Sequence, residues 1–168
     1  MKMDLYLMRH GIATERSARN IARDADRRLT ASGKEKMRRI AKAMKRMDIN
    51  VECILSSPFL RATETVEIVA RVLGIRTVKL TPLLKPDGSA GALLGGLSKQ
   101  STTFRSLLLV GHEPLLTDTA SLLISRKTGL PLHLRKGGLL KLCITSGFHP
   151  GSATLEWLLS PRWMINRQ

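Results

Sequence analysis

The stretch Leu5-Tyr6-Leu7-Met8-Arg9-His10-Gly11 runs from an apolar segment straight into a cation, an imidazole and a glycine. A short apolar run of this kind reads as a buried strand, which places the first strand over residues 3–8. A glycine directly after it allows a tight turn and a close backbone approach to a ligand. Arg9 and His10 therefore belong where a strand ends. A guanidinium there suits an anion, and an imidazole beside it offers a nitrogen nucleophile.

Two further apolar runs end in the same manner. Residues 51–55 form a second strand candidate closing in Ser56-Ser57-Pro58, with Arg61 in the first turn of the helix that Pro58 or Phe59 opens. Residues 106–110 form the most strand-like run in the chain, closing in Gly111-His112-Glu113-Pro114 at another helix start. Between them, Met37, Ile40, Ala41, Met44 and Met47 recur at three- and four-residue steps as one helical stripe, capped by Thr30 or by a Ser32–Glu35 capping box. In the helix after Pro58, Ala62, Val66, Val69 and Leu73 share a face, and Gly74 is the expected C-cap. A further strand is expected over residues 76–80. Residues 11–30 read as a charged loop, and residues 81–103 as irregular with a helical patch near 92–97. Residues 138–145 and 153–159 read as two late strands joined by a Gly/Pro turn.

Strands alternating with helices imply an α/β fold with parallel βαβ units. The expected architecture is a three-layer α/β/α domain over residues 1–168, with a mostly parallel central sheet and an antiparallel C-terminal hairpin. In such sheets ligands bind outside the carboxyl ends of the strands. Parallel pairing would then gather Arg9, His10, Arg61 and His112 at one edge beside two helix N-termini, a setting that favours a phosphate.

The totals narrow the chemistry. The chain has 168 residues and a formal charge of +15. Twelve Lys and Arg residues lie between Arg16 and Arg46, yet no aromatic lies among them, which argues against a base-stacking platform. A solvated basic face, or one that steers an acidic or phosphorylated substrate, is the expected use, and nucleic acid is not the expected partner. No apolar run approaches the ~18 residues of a membrane helix, and no signal-peptide core follows the N-terminus, so the expected address is the cytosol. Cys53 and Cys143 are expected as buried, reduced thiols. Neither begins a Cys-x5-Arg motif: the sixth residue on is Phe59 in one case and His149 in the other. No phosphate loop of an NTPase is present, and His10, His112, His133 and His149 show no paired metal-ligand spacing.

The segments Leu7-Met8-Arg9-His10-Gly11, Ser56-Ser57-Pro58-Phe59-Leu60-Arg61-Ala62-Thr63-Glu64-Thr65 and Val110-Gly111-His112-Glu113-Pro114 resemble the histidine phosphatase superfamily, whose fold is phosphoglycerate mutase-like. Within it they resemble the SixA-type phosphohistidine phosphatases. Asp26-Arg27-Arg28-Leu29-Thr30-Ala31-Ser32-Gly33, Lys136-Gly137-Gly138 and Trp157-Leu158-Leu159-Ser160-Pro161 add to the match; Arg28 departs from it, standing where these proteins often have proline. The resemblance implies that His10 takes the phosphoryl group, that Arg9, Arg61 and His112 are catalytic with it, and that Arg9, Gly11, Arg61 and His112 bind the phosphate. It implies no metal or cofactor, a phosphorylated phosphotransfer or carrier protein as substrate, and inorganic phosphate or another oxyanion in the pocket. A general acid is not evident; Glu113 and Asp87 are the carboxylates at hand, and Glu113 also suits the helix start. The alternatives are a small-molecule phosphomonoesterase on the same fold and a non-catalytic phosphoprotein-binding module.

Overall fold

The computed structural model describes residues 2–15, 23–99 and 104–166. Six strands form one sheet: β1 (Met3–Arg9), β2 (Cys53–Ser56), β3 (Thr77–Leu80), β4 (Ser106–Gly111), β5 (Leu139–Ile144) and β6 (Ala153–Leu159). Their order across the sheet is β3-β2-β4-β1-β5-β6. The first four strands in that order run parallel; β5 runs antiparallel to β1 and to β6, so the late hairpin is present as expected. Leu5, Leu7, Leu107 and Leu109 point to one face and Tyr6, Met8, Leu108 and Val110 to the other, as the two-residue period requires.

Each face is covered by helices. Helices α1 (Ala31–Arg46), α2 (Leu60–Leu73) and α5 (Pro161–Asn166) close one core with Met8, Leu108 and Val110; α3 (Ala90–Lys99) and α4 (Leu115–Ser125) close the other with Leu7, Leu107 and Leu109. The expected stripe of α1 is buried at Met37, Ile40, Ala41 and Met44 and partly buried at Met47. Each large apolar side chain so buried contributes roughly 1.5–3 kcal/mol. Thr30 caps α1 by accepting from the Gly33 N–H at 2.9 Å. Ser32 bonds to Thr30 rather than capping, and Glu35 faces solvent and pairs with Arg38. Gly74 ends α2 in the left-handed region, at φ +73°.

Two expectations need correction. Cys53 is buried, but Cys143 is only half-buried, on β5; both are free thiols. Within residues 81–103, a 3-10 turn (Pro82–Leu84) precedes the ten-residue α3, a longer helix than the patch read from the sequence. Of the charged loop over residues 11–30, the described part contains an isolated antiparallel bridge between Ala13 and Leu29 and a 3-10 turn (Asp24–Asp26).

The register matters most for function. Arg9 at the end of β1 lies opposite Gly111 at the end of β4, and Ser56 at the end of β2 lies opposite Val110. The three carboxyl ends are therefore flush and adjacent, with β4 in the middle.

Candidate active site

His10 follows β1 and is 6% exposed. Its Nδ1 lies 2.7 Å from the carbonyl oxygen of Gly11. A carbonyl can only accept, so Nδ1 carries the proton and Nε2 keeps its lone pair. Arg61 Nε donates to that Nε2 at 3.2 Å, which requires the same tautomer. Burial is the main force pushing the His10 pKa down to about 3; the charges of Arg61 and Arg9 and the nearby His112 add to it, and the Gly11 bond opposes it. The ring is therefore neutral at physiological pH, with one nitrogen anchored to backbone and the other available as a nucleophile.

Gly11 fixes this arrangement by contact as well. Its N–H donates to Thr65 Oγ1 at 3.1 Å, and a Cβ there would lie 2.7 Å from Met37 Cγ. Gly11 was expected to bind phosphate; in the structure its amide donates to Thr65 and its carbonyl lies against His10 Nδ1, so it orients the His10 ring. Thr65 Oγ1 in turn donates to the Arg61 carbonyl at 2.7 Å, tying the first turns of α2 to the end of β1.

Arg61 is 4% exposed and its guanidinium carbon stands 5.1 Å from the centre of the Phe59 ring. Its Nη1 donates to the Asp24 carbonyl at 2.7 Å and its Nη2 to Asp24 Oδ2 at 2.9 Å. Asp24 Oδ1 accepts from Arg27 Nη1 at 3.0 Å. Partial burial pushes the Asp24 carboxyl up, but the hydrogen bonds and charges of Arg27 and Arg61 outweigh it and hold it below the usual carboxylate range.

His112 follows β4 and is 2% exposed, with its ring centroid 5.0 Å from that of His10. Burial, chiefly, pushes its pKa down to about 3. Its Nε2 lies 2.9 Å from Ser57 Oγ, and that hydroxyl oxygen already accepts from the Phe59 N–H. Among the described contacts that hydroxyl proton has no acceptor other than Nε2, which leaves the ring proton on Nδ1. That Nδ1 is buried without a hydrogen-bond partner, and so is Arg9 Nε. Arg9 spends Nη1 on the Leu134 carbonyl at 3.2 Å. The backbone on either side of Arg9 is locked by the glycine pair that was singled out in the sequence: Arg9 N–H donates to the Gly138 carbonyl, and Gly137 N–H donates to the carbonyls of Arg9 and His10.

Two buried, unpaired nitrogens on two strand ends are costly unless an acceptor meets them. Together with the Arg61 guanidinium they set two cationic groups and one neutral N–H donor near the neutral His10 imidazole. Such an arrangement holds an oxyanion and stabilises charge on it during transfer. Among the described residues, no cluster of three or more His, Cys, Asp or Glu side chains could hold a metal ion.

The sequence profile of the histidine phosphatase superfamily (branch 1) matches residues 5–86, which span both His10 and Arg61. The phosphohistidine phosphatase SixA of Escherichia coli is 30% identical, over 95% of this chain and 94% of its own. The chain belongs to the histidine phosphatase superfamily. Within that superfamily it is of the SixA type, and it is a phosphatase. An uncharacterized protein of Picosynechococcus sp. is 34% identical over 97% of this chain and 99% of its own. The solved structure of the protein histidine phosphatase SixA complexed with tungstate superimposes with a TM-score of 0.79 at 29% identity, covering 95% of this chain and 98% of that one.

In this SixA-type chain the structure gathers Arg9, His10, Arg61 and His112 at one sheet edge. The two carboxylates considered as general acids have different surroundings. Glu113 is half-buried and accepts from the Thr117 N–H at 3.3 Å and from the Thr117 hydroxyl at 2.7 Å, as a helix-start residue does. Burial pushes its carboxyl up, against the Thr117 bonds and the field of Arg9. Asp87 is exposed on the turn ahead of α3. Three contributors escaped the sequence reading: Asp24, Ser57 and Thr65. Ser57 and Thr65 lie inside quoted motifs, but their hydroxyls act through contacts only the fold creates. Asp24 lies in a loop with no periodicity to single it out.

Proposed function

We propose that this phosphatase removes phosphate from phosphohistidine in a protein, through a phosphohistidine intermediate on His10, without a metal. The observation that carries it is the His10 ring: Nδ1–H held by the Gly11 carbonyl, Nε2 directed at Arg61, and the unpaired Arg9 and His112 nitrogens alongside. In the first step Nε2 attacks phosphorus and the P–N bond to the substrate ring breaks. A substrate ring protonated on its other nitrogen leaves as neutral imidazole, so no carboxylic acid has to supply a proton. Glu113 is accordingly read as a helix-start residue and not as the general acid. In the second step the oxygen of a water forms a bond to phosphorus, the P–N bond to His10 breaks, and His10 returns to its neutral form while the water's protons pass to phosphate and solvent.

His10 is cationic while phosphorylated, and the Gly11 carbonyl stabilises that state through the same 2.7 Å contact. The Arg9 and Arg61 guanidiniums offset the charge on the equatorial oxygens and the neutral His112 Nδ1–H donates to them, the electrostatic help on which phosphoryl transfer chiefly depends. That the related SixA was solved in complex with tungstate supports an oxyanion as a ligand of this chain. The same reading takes residues 1–168 as one domain and sets it in the cytosol, which the two free thiols support.

The test is phosphate release from a histidine-phosphorylated phosphotransfer protein. His10→Ala is expected to abolish turnover while the variant stays folded by circular dichroism, and acid-labile label is expected to be trapped on wild type alone. Turnover by His10→Ala, or activity confined to small phosphomonoesters, would overturn the reading.

A further inference from the structure

Arg9 does not face the phosphate pocket alone. It also lines a surface groove of about 680 Å³, together with Ile12, Lys36, Arg135, Lys136 and Arg162. The groove is lined by five Lys or Arg residues and no carboxylate, with His133, Ser160 and Pro161 completing it. Arg135, Lys136 and Arg162 are exposed, and none of them, nor Lys36, forms an ion pair among the described residues. Elsewhere on the surface the pattern differs. The pocket between α1 and α2 mixes Lys34, Arg38 and Lys42 with Glu64 and Glu67, and Lys34 is paired with Glu64 at 2.9 Å.

We propose that this groove docks an acidic surface of the phosphoprotein around its phosphorylated histidine; the proposal rests on the phosphohistidine reading above. Continuity carries the assignment, since Arg9 lines the groove and also acts on both His10 and His112, with its buried Nε unpaired. A partner whose phosphoryl group enters beside His10 must lay its adjoining surface along these cations. A second observation favours a folded protein over a small ligand. Past Ser160 and Arg162 the surface opens into another concavity on α5, where Trp163 stands 45% exposed. A large aromatic beside an arginine is the pairing that anchors protein interfaces. Rim cations of this kind act on encounter and on KM, and their effect weakens with salt.

The experiment compares wild type with the double variant Arg135→Glu/Arg162→Glu on two substrates: an acidic histidine-phosphorylated phosphotransfer protein, and the free amino acid phosphohistidine. Both positions are exposed and lie outside the catalytic set. For the protein, kcat/KM is expected to fall at least about 10-fold in the variant at low salt. The fall should lie in KM and shrink as salt rises to 0.5 M. For free phosphohistidine, kcat/KM is expected to change less than 2-fold, which also certifies the fold. Equal losses on both substrates, or none on the protein, would overturn the docking assignment while leaving the phosphohistidine reading intact. Wild type that cleaves neither substrate but does cleave phosphomonoesters would defeat both. Salt-sensitive binding of single-stranded DNA, lost in the variant while phosphoprotein turnover is kept, would reassign the groove to nucleic acid.

Discussion

Acidification should destabilise this fold through the two histidines of its active site, and the size of the effect follows from their burial. An exposed histidine titrates near 6.5; burial pushes His10 and His112 down to about 3. Between those values the unfolded chain binds protons that the folded chain refuses. Stability therefore rises with pH across this window, is fully present above about 6.5, and is lost as pH falls towards 3. At pH 4 each ring would cost about 3 kcal/mol relative to pH 7, from the ratio of the two binding polynomials. The pair would cost at most about 6 kcal/mol, a large share of the 5–15 kcal/mol typical of a domain. Urea unfolding of wild type and His10→Asn at pH 7, 5.5 and 4, in phosphate-free buffer of fixed ionic strength, isolates one ring. Asp24, whose depressed pKa also costs stability in acid, contributes to both proteins and cancels. The variant is expected to lose about 3 kcal/mol less than wild type between pH 7 and pH 4. Equal losses would show that His10 is protonated in the folded state at pH 4, and the account of a buried neutral nucleophile would fail.

Two further substitutions probe the supporting contacts. Ser57→Ala removes the hydroxyl that sets the His112 tautomer, so kcat is expected to fall on the order of 10-fold, by analogy with other supporting contacts, with Ser57→Thr restoring most of it; unchanged kcat in steady-state assays would dismiss that role. Asp24→Asn takes the carboxylate from a guanidinium that is 4% exposed, and is expected to cost about 1–3 kcal/mol in urea unfolding while inorganic phosphate binds more tightly by calorimetry. Weaker phosphate binding with unchanged stability would contradict that arrangement.

The parts of the molecule that were legible in the sequence are those governed by local rules. The apolar runs ending in Arg9-His10, Ser56-Ser57 and Gly111-His112 announced β1, β2 and β4, and the parallel rule brought their ends together. The 3.6-residue period of Met37, Ile40 and Met44 announced α1. What stayed hidden depends on tertiary contact. Helix α3, Ala90–Lys99, showed only as a patch near 92–97, because its three glycines weaken the local signal. It forms because Leu93, Leu94 and Leu97 bury against α4 and because Gly96 admits Leu83 where a Cβ would lie 2.3 Å from its Cδ1. Asp24 carries no local signal, and its part comes from Arg61, which donates both to its carbonyl and to its carboxylate. Helix α5 is six residues long and held by Met164, too short for a period to show.

The contact between His10 and the Gly11 carbonyl carries a consequence for how this protein can change over time. A histidine whose orientation comes from a carboxylate depends on a side chain that a single codon change can delete. Here the orienting oxygen belongs to the polypeptide itself, and every amino acid would present one at that place. The tautomer of His10 is therefore beyond the reach of side-chain drift at the position that sets it. Selection at residue 11 acts instead on room beside Met37. A lineage could exchange every polar neighbour of this ring, alter its substrates and lose its basic groove, and still inherit an imidazole with its proton on the correct nitrogen.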